Sequence, residues 1–429
     1  MTVRSWLIGA ALALIAAAAW AQAAPEAPIE AFRRLRSEGV AAINKGDMAA
    51  AAAKLALADT AVPNHPGLVV LRAKVEAAQG HIAAAVAFME RYAAFGLSID
   101  VTTDELLQRI SIENDFAPVL RQLNANAAPI GKLEIVGSIE GAFIAEGIAW
   151  DAARNRWLIS GVHERTVVAV KNDRTLSRFL EAGADADGVQ GIAIDPTHKL
   201  LWAGSSGLPQ ARDLQPGHLG RGGLLKIDLA TGRLLARYDA PAGKTRAFGD
   251  LTVGPDGTVY VSDSLAGEIW RLSPGATGLE RLVGPGPLGS PQSLVVTPDG
   301  KRLIVADYTS GLHVVDLATG AVTSLPTPAD STFVGTDGLI RDGNDLIAFQ
   351  NGLTPQRVVR ARMDADFTRV EHWSVLAANL PNLEEPTSGV VVGNDLVFIG
   401  RSQWSDFKDD GTLAHNPPGP AVIVRLKLR

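Results

Sequence analysis

The chain has 429 residues, a formal net charge of −6 and no cysteine. The lack of cysteine excludes disulfides, thiolate metal sites and a cysteine nucleophile, and the mildly acidic balance gives no general attraction to nucleic acid or anionic lipid. The 43 glycines and 24 prolines favour a turn-rich, β-rich protein, and the length suits two or three domains.

Residues 1–24 have the features of a secretory signal peptide. Arg4 precedes the apolar run from Trp6 to Ala19, and small residues follow in a pattern typical of a cleavage site. The run is short for a membrane-spanning helix, and no later segment has about 18 uninterrupted apolar residues. We therefore expect a periplasmic or secreted protein with no membrane association after signal cleavage.

Residues 25–127 are alanine-rich and have helical periodicity. The segment 45–51 matches the segment 79–85 at a spacing of 34 residues, which is the length of a tetratricopeptide repeat, a helix–turn–helix unit. Two such units are too few for a free-standing solenoid. Two interpretations stay open: a groove for a protein or peptide partner, and a small packed cap on the rest of the chain.

Residues 128–429 contain one unit six times. In the copy FGDLTVGPDGTVYVSD from Phe248, a short apolar strand is followed by a Pro-Asp-Gly turn and a second apolar strand. The leading position of the unit falls at 146, 190, 249, 292, 337 and 388, at intervals of 44, 59, 43, 45 and 51 residues. Repeats of ~40–45 residues with four strands each are typical of β-propellers. The sequence therefore predicts a six-bladed β-propeller after a small N-terminal α-helical domain.

Two strands at the ends of this region lack partners within the repeat. Residues 132–139 precede the first full copy, and residues 421–428 follow the last. We expect the segment 132–139 to be the outermost strand of the last blade, because such pairing closes the ring and removes an exposed sheet edge.

The polar residues of the repeat are expected at one end of the central channel. In a propeller, the first strand of each blade starts at the end where the second strand finishes, so the six leading residues converge there. Glu146, Asp337 and Gln292, with Asp250 beside them, form an oxygen-rich set suited to a hard cation such as Ca²⁺. Alternatively, some of these carboxylates cap turns or accept backbone amides.

Further candidates for this channel mouth come from the strand ends and the connections. His163 and Arg401 end or follow second strands. The long connections from Gly207 to Gly222 and from Gln403 to Gly419 are expected to be lids or binding loops.

Three segments carry a resemblance to a known family: residues 145–150, 292–301 and 337–339. From about residue 131 to 429 the chain resembles the senescence marker protein, gluconolactonase and luciferin-regenerating enzyme family of six-bladed propellers. The resemblance implies a divalent ion, often Ca²⁺, in the channel mouth and the hydrolysis of sugar lactones or related esters. It also implies that Glu146 and Asp337 bind the metal and that Asp337 is the base. The family's asparagines fall on Gln292 and Gly249, and its following aspartate falls on Asp250.

The predicted function is a metal-dependent hydrolase of lactones or related esters. The ion would polarise the carbonyl, Asp337 would take a proton from water, and His163 and Arg401 would orient the substrate. His163 is equally well explained as a turn histidine. The alternative function is a non-catalytic scaffold or ligand sensor with a degenerate metal site and a partner-binding helical domain, which Gln292 and Gly249 favour.

Overall fold

The computed structural model describes residues 26–171, 175–181 and 185–428. The predicted signal peptide, residues 1–24, lies outside these ranges. In the part of the chain that is described, none of the helices has the length and apolar character needed to cross a bilayer.

The N-terminal part of the described chain is helical. The α-helices are α1 (Pro28–Asn44), α2 (Met48–Ala61), α3 (Pro66–Ala78), α4 (Ile82–Ala94), α5 (Glu105–Ser111) and α6 (Ala117–Asn126). Helix α1 packs on α2, and α3 packs on α4. Gly46 and Gly80 have positive φ angles of 78° and 82° in the turns that follow α1 and α3. The 34-residue spacing thus relates two helix–turn–helix units, while the tetratricopeptide assignment itself stays a prediction.

The rest of the described chain forms six four-stranded antiparallel sheets. The first strand in the chain, β1, is Glu134–Ile139. Blade 1 consists of β2 (Ala145–Asp151), β3 (Arg156–Gly161), β4 (Thr166–Lys171) and β5 (Leu176–Arg178), and blade 2 of β6 (Gly188–Asp195), β7 (Leu200–Ser206), β8 (Gly222–Asp228) and β9 (Leu234–Asp239). Blade 3 consists of β10 (Phe248–Val253), β11 (Val259–Asp263), β12 (Glu268–Leu272) and β13 (Glu280–Val283). They continue with blade 4, β14 (Pro291–Val296), β15 (Arg302–Asp307), β16 (Gly311–Asp316) and β17 (Val322–Ser324); blade 5, β18 (Thr336–Asp342), β19 (Asp345–Gln350), β20 (Arg357–Met363) and β21 (Val370–Ala378); and blade 6, β22 (Gly389–Val392), β23 (Asp395–Arg401), β24 (Ala421–Lys427) and the returning β1.

The blades form a closed ring. The innermost strands β2, β6, β10, β14, β18 and β22 contact one another in this order, and β22 contacts β2 again. Apolar side chains of the middle strands fill the space between neighbouring sheets, as with Ile304 of blade 4 and Leu346 of blade 5. The predicted fold class, a six-bladed β-propeller with a small helical region before it, is confirmed.

The ring is closed by strands from both ends of the propeller region. Strand β1 pairs antiparallel with β24, with Glu134 opposite Arg425 and Ile139 opposite Ala421. The segment predicted to be the outermost strand of the last blade therefore has that position. The pairing gives β24 a neighbour on each side and joins the two ends of the propeller region without a disulfide.

The helical region packs against the propeller beside blades 4 and 5. Arg33 Nη2 donates to Gly289 O at 3.1 Å, and Asn379 Nδ2 donates to Asn126 O at 3.1 Å. Arg357 of β20 is fully buried and donates to the carbonyls of Phe95 and Gly96 at 2.7 and 3.1 Å. The bonds from Arg357 and Asn379 satisfy carbonyl groups near the ends of α4 and α6, which have no partner within their helices.

Candidate functional site

A polar pocket of about 330 Å³ lies at the end of the channel where the inner strands begin. It brings together the three oxygen-bearing residues that the sequence singles out at leading positions, Glu146, Gln292 and Asp337. The other residues of its wall are Gln190, Leu208, Ala247, Ser264, Tyr308, Asn351, Glu385 and Trp404. Below it, Asp250 lines the channel proper.

Backbone irregularities explain why the leading side chains meet here. In each of the first five blades, the pairing of the first two strands shifts register around the leading residue; examples are the shift between Ala145 and Ile148 and the shift between Pro291 and Leu294. A β-bulge turns a side chain away from the regular alternation of a strand, and bulges are common beside active sites. The repeat thus encodes a bulge at the channel mouth in five successive blades.

Each of the two acids is held by one hydrogen bond from a side chain. Trp404 Nε1 donates to Glu146 Oε2 at 2.8 Å, and Asn351 Nδ2 donates to Asp337 Oδ2 at 2.7 Å. The orientation of Asn351 is fixed in turn by Tyr308, whose hydroxyl lies 3.1 Å from Asn351 Oδ1. Within the described ranges, the second carboxylate oxygens of Glu146 and Asp337 accept no hydrogen bond.

Burial and mutual repulsion disfavour the ionised forms of these acids. Burial, together with the nearby Asp337, Asp250 and Glu385, raises the pKa of Glu146 well above its ordinary value, although the Trp404 indole opposes the rise. Burial and the charges of Asp250 and Glu385 raise the pKa of Asp337 to about 7, against the opposing bond from Asn351. Protons or a bound cation therefore neutralise part of the negative charge at the mouth.

Gln292 lies next to the space that Gly249 leaves open. A Cβ atom at position 249 would lie 3.8 Å from Gln292 Oε1 and 3.2 Å from Ser262 Oγ. Gln292 Nε2 donates to Ser290 Oγ at 3.2 Å, and its Oε1 accepts no bond from the described residues. The longer side chain at 292 and the missing side chain at 249 are thus two parts of one local arrangement.

Asp250, the fourth predicted metal ligand, lies deeper in the channel than the other three. Burial raises its pKa to about 6, and the neighbouring Ser293 hydroxyl opposes the rise. Its charge raises the pKa of both Glu146 and Asp337, so it belongs to the same electrostatic system. It is not part of the wall of the mouth pocket.

His163 and Arg401 are not brought to the wall of this pocket. His163 Nδ1 lies 2.6 Å from Gln210 O, and its ring packs on Phe407 at 5.0 Å between centroids. Arg401 binds both carboxylate oxygens of Asp406 at 3.0 and 2.8 Å and donates to Pro420 O at 2.8 Å. Through these contacts His163 and Arg401 hold neighbouring loop segments in place. Their role in orienting substrate stays a prediction, and no contact with the pocket supports it.

The two long connections meet above the mouth, as the sequence predicts. Leu208 and Trp404, one from each connection, line the pocket. Gln210 Nε2 donates to Lys408 O at 3.1 Å and so joins the two connections. Trp404 is positioned by its neighbour Gln403, which is buried and donates from its amide to Gly141 O at 2.8 Å.

Among the residues of the mouth that sequence reasoning missed are Glu385 and Tyr308. Glu385 has a left-handed backbone, with φ of 54°, and its carboxylate accepts a bond of 2.8 Å from Ser405 N. Tyr308 has its pKa raised to about 12, chiefly by burial. Glu385 lies in the connection between β21 and β22, outside the repeated unit, so no repeat position indicated it. Tyr308 directly follows β15, one residue beyond the copy of the unit that starts at Gln292.

The donor chemistry of the mouth fits a hard cation. Glu146, Asp337 and Gln292 line one pocket, and each has an oxygen that accepts no hydrogen bond from the described residues; oxygen-only sets of carboxylates, amides and water are typical of Ca²⁺ sites. Among the described residues there is no group of three or more His, Cys, Asp or Glu side chains in metal-binding proximity. An ion here would accordingly depend on the Gln292 amide and on water for part of its coordination.

Comparison with known proteins gives similarity to solved structures alone, since no family model and no curated protein matches the chain. A gluconolactonase from Xanthomonas campestris has 19% identity over 71% of this chain and 92% of its own, with a TM-score of 0.47. A luciferin-regenerating enzyme has 14% identity over 70% and 95%, with a TM-score of 0.48. The PQQ-bound aldose sugar dehydrogenase from Streptomyces coelicolor has 14% identity over 70% and 99%, with a TM-score of 0.47.

The first two structures bear names from the family that the sequence resembles. Since the third is a dehydrogenase at the same level of similarity, these scores do not select an activity. The propeller assignment is based on the chain's own six sheets, and any function must be argued from the site.

Proposed function

We propose that the channel mouth binds a lactone or a related ester and hydrolyses it. The observation that supports this most strongly is the placement of two half-buried acids, Glu146 and Asp337, in one pocket with the amide of Gln292. Burying two acids together is unfavourable unless protons or a cation neutralise them, and perturbed acids in a cleft are typical of catalytic sites.

A divalent cation held by Glu146, Asp337 and Gln292 is part of the proposal, with calcium favoured because the donors are all oxygen. Such an ion supplies Lewis acidity toward the ester carbonyl. The Trp404 indole and the Asn351 amide each engage one oxygen of a carboxylate, and they leave the other oxygen of Glu146 and of Asp337 available to an ion. Asp250 adds negative charge from below without lining the mouth.

Asp337 is the proposed general base. Burial and the neighbouring acids raise the pKa of Asp337 to about 7 in the absence of an ion, which favours proton uptake near neutral pH, and an ion bound to its other oxygen would lower this pKa. In the proposed step, Asp337 takes one proton from a water molecule while the water oxygen bonds to the acyl carbon. The acyl C–O bond then breaks, the proton passes from Asp337 to the departing alkoxide oxygen, and the product is the hydroxy acid.

The walls of the pocket suit a small substrate. Its volume of about 330 Å³ is near the lower limit of ligand pockets, about 300 to 1,000 Å³. Leu208 and Trp404 provide apolar surface above the acids, and Tyr308 and Gln190 provide polar surface beside them. We infer that the acyl group lies against the acids and that the remainder of the ring lies under the two long connections.

The proposal is tested by isosteric variants of the two acids. Asp337→Asn should lower kcat for the preferred substrate of a lactone and aryl-ester panel by about 100-fold to 10,000-fold, the usual contribution of a general base. Glu146→Gln should lose bound metal in elemental analysis, and chelation of the wild-type protein should abolish turnover. Asp409→Asn, an exposed residue of the connection that carries Trp404, is the control and should change neither property.

Wild-type protein that turns over no member of the panel, or Asp337→Asn protein with unchanged kcat, would overturn the hydrolase. A second candidate, a ligand sensor with a degenerate metal site, is favoured by the missing side chain at Gly249. Ligand binding without turnover in the wild-type protein would support it.

Export to the periplasm or medium is part of our proposal, and cell fractionation tests it. A protein partner for the helical region stays a prediction.

A further inference from the structure

A second pocket, of about 270 Å³, lies between the helical region and the propeller. The helical region contributes residues at the start of α1 and around the end of α2, and the propeller contributes residues of blade 4 and of the connection to blade 5. Its helical wall includes Ile29, Val62 and Pro63, and its propeller wall includes Leu312, His313 and Phe333. It shares no wall residue with the channel mouth.

A buried histidine forms part of the propeller wall of this interface pocket. His313 of β16 is only 6% exposed. Its Nε2 lies 2.8 Å from Ser310 Oγ, and Ser310 Oγ lies 2.9 Å from Asp307 Oδ1. Asp307 is fixed by the backbone, since its other oxygen accepts from Gly289 N and Ser290 N at 2.7 and 2.8 Å.

These contacts determine which ring nitrogen of His313 carries the proton. The Asp307 carboxylate can only accept, and the Ser310 hydroxyl has one proton to donate. Both contacts are hydrogen bonds only if Ser310 donates to Asp307 and His313 Nε2–H donates to Ser310. His313 Nδ1 is then left as an acceptor.

Nδ1 has no hydrogen-bond partner among the described residues, although the side chain is almost fully enclosed. Burial lowers the pKa of His313, against the opposing charge of Asp307, so the ring is neutral and keeps its acceptor at neutral pH. Nδ1 is not among the side-chain nitrogens and oxygens that are both fully enclosed and without a partner, so it keeps some accessible surface. Since the ring lines the interface pocket, the pocket is where a donor for Nδ1 can enter.

We propose that the interface pocket binds a small, mainly apolar molecule with one hydroxyl or N–H group, whose donor bonds to His313 Nδ1. Its apolar body would lie against Ile29, Val62 and Phe333, which belong to both parts of the protein. Such a ligand would bridge the helical region and blade 4 and stabilise their contact. This site is independent of the proposed hydrolase, because neither Glu146 nor Asp337 takes part.

Matched probes separate the donor from the apolar body. We expect p-cresol to bind wild-type protein about threefold to tenfold more tightly than toluene in calorimetric titrations, the range that one net hydrogen bond gives. His313→Phe keeps an aromatic ring but removes the acceptor, and it should abolish this preference. His372→Phe, a substitution at an exposed histidine of blade 5, is the control and should retain it.

A second measurement uses wild-type protein and does not depend on a folded variant. The ¹⁵N resonance of His313 Nδ1 should shift when p-cresol is added and should not shift with toluene. Equal affinities for the two probes in wild-type protein would overturn the proposal. An unchanged preference in His313→Phe, or an Nδ1 resonance that ignores p-cresol, would overturn it as well.

Discussion

At the scale of single residues, the repeat identifies the leading residues that supply oxygens to the channel mouth. It does not predict the direction in which each of these side chains points. Glu146, Gln292 and Asp337 could be selected from the sequence because each stands at the leading position of an otherwise apolar strand. That Asp250 lies below them, rather than beside them, depends on how closely β6 and β10 approach. A regular alternation of side chains along β10 would not have revealed it, because the bulge interrupts the alternation.

Gly191 allows that approach, and a matched pair of glycine substitutions tests it. A Cβ at position 191 would lie 2.6 Å from the Cα of Asp250, whereas the nearest atom to a Cβ at position 249 is Ser262 Oγ, at 3.2 Å. Gly191→Ala should therefore destabilise the protein by about 1 to 3 kcal/mol, because a backbone must move. Gly249→Ala should change stability by less than about 0.5 kcal/mol, because a side chain can adjust.

Urea unfolding of both variants beside the wild type measures the difference. Equal midpoints for Gly191→Ala and wild type would contradict the close approach of blades 2 and 3.

At the scale of elements, the sequence predicts where the helices lie better than it predicts how their ends are capped. The Gly46 and Gly80 turns were visible as a 34-residue spacing, and the helices on either side follow from their composition. The Asp47 and Asp104 caps are of a usual residue type, but a histidine cap is not one that the sequence indicates. His65 is an example: its Nδ1 accepts from Leu68 N at 3.3 Å at the start of α3, and its ring stacks on Phe32 of α1 at 4.8 Å.

The His65 cap gives the helical region a dependence on pH. Burial, reinforced by the charge of Arg36 and opposed by Asp59, lowers the pKa of His65 from 6.5 to about 4. The unfolded chain binds this proton more readily than the folded one, so stability should be highest above pH 6.5 and should fall as the pH drops toward 4. The loss is about 3 kcal/mol when the full shift is expressed.

The variant His65→Asn isolates this contribution, because asparagine can cap the helix but does not titrate. Between pH 7 and pH 4, the unfolding free energy of His65→Asn should fall less steeply than that of the wild type. His81→Asn, at a mostly exposed position, should follow the wild-type curve. Parallel curves for wild type and His65→Asn would contradict the assignment.

At the scale of the whole molecule, two arrangements hold the protein together, the closed ring and the contact between helices and propeller. The ring closure was predictable, because an unpaired strand at each end of a repeat has one economical solution. The contact with the helices was not predictable, because it depends on single residues far apart in the chain. Arg357 is the clearest of these: it joins β20 to the carbonyls of Phe95 and Gly96 and lies over the Trp373 ring at 5.5 Å.

Replacement of Arg357 should loosen that contact. Lysine cannot reproduce the planar fork that bonds both carbonyls and Gln350 Oε1, which lies 2.8 Å from Arg357 Nε. Arg357→Lys should lower stability by about 2 to 3 kcal/mol, as expected when buried bonds to a charged group are lost, and should speed proteolysis between α6 and β1. Arg362→Lys on the same strand, where the side chain is 55% exposed and paired with Asp345, should behave as wild type.

Thermal unfolding and timed proteolysis measure both variants. Proteolysis of Arg357→Lys at the wild-type rate would show that the other contacts suffice.

The sequence by itself determined the six-fold repeat, the types of residue at its leading positions and the closing strand. These features follow from local patterns of apolar residues and turns that recur along the chain. Only the tertiary structure decided that Glu385 and Tyr308 join the mouth, that His163 and Arg401 anchor loops, and that His313 lines the pocket between the helices and the propeller. These depend on distances between segments that no repeat relates. The sequence shows which chemical group each side chain carries, whereas the packing of the whole ring determines which other groups that side chain contacts.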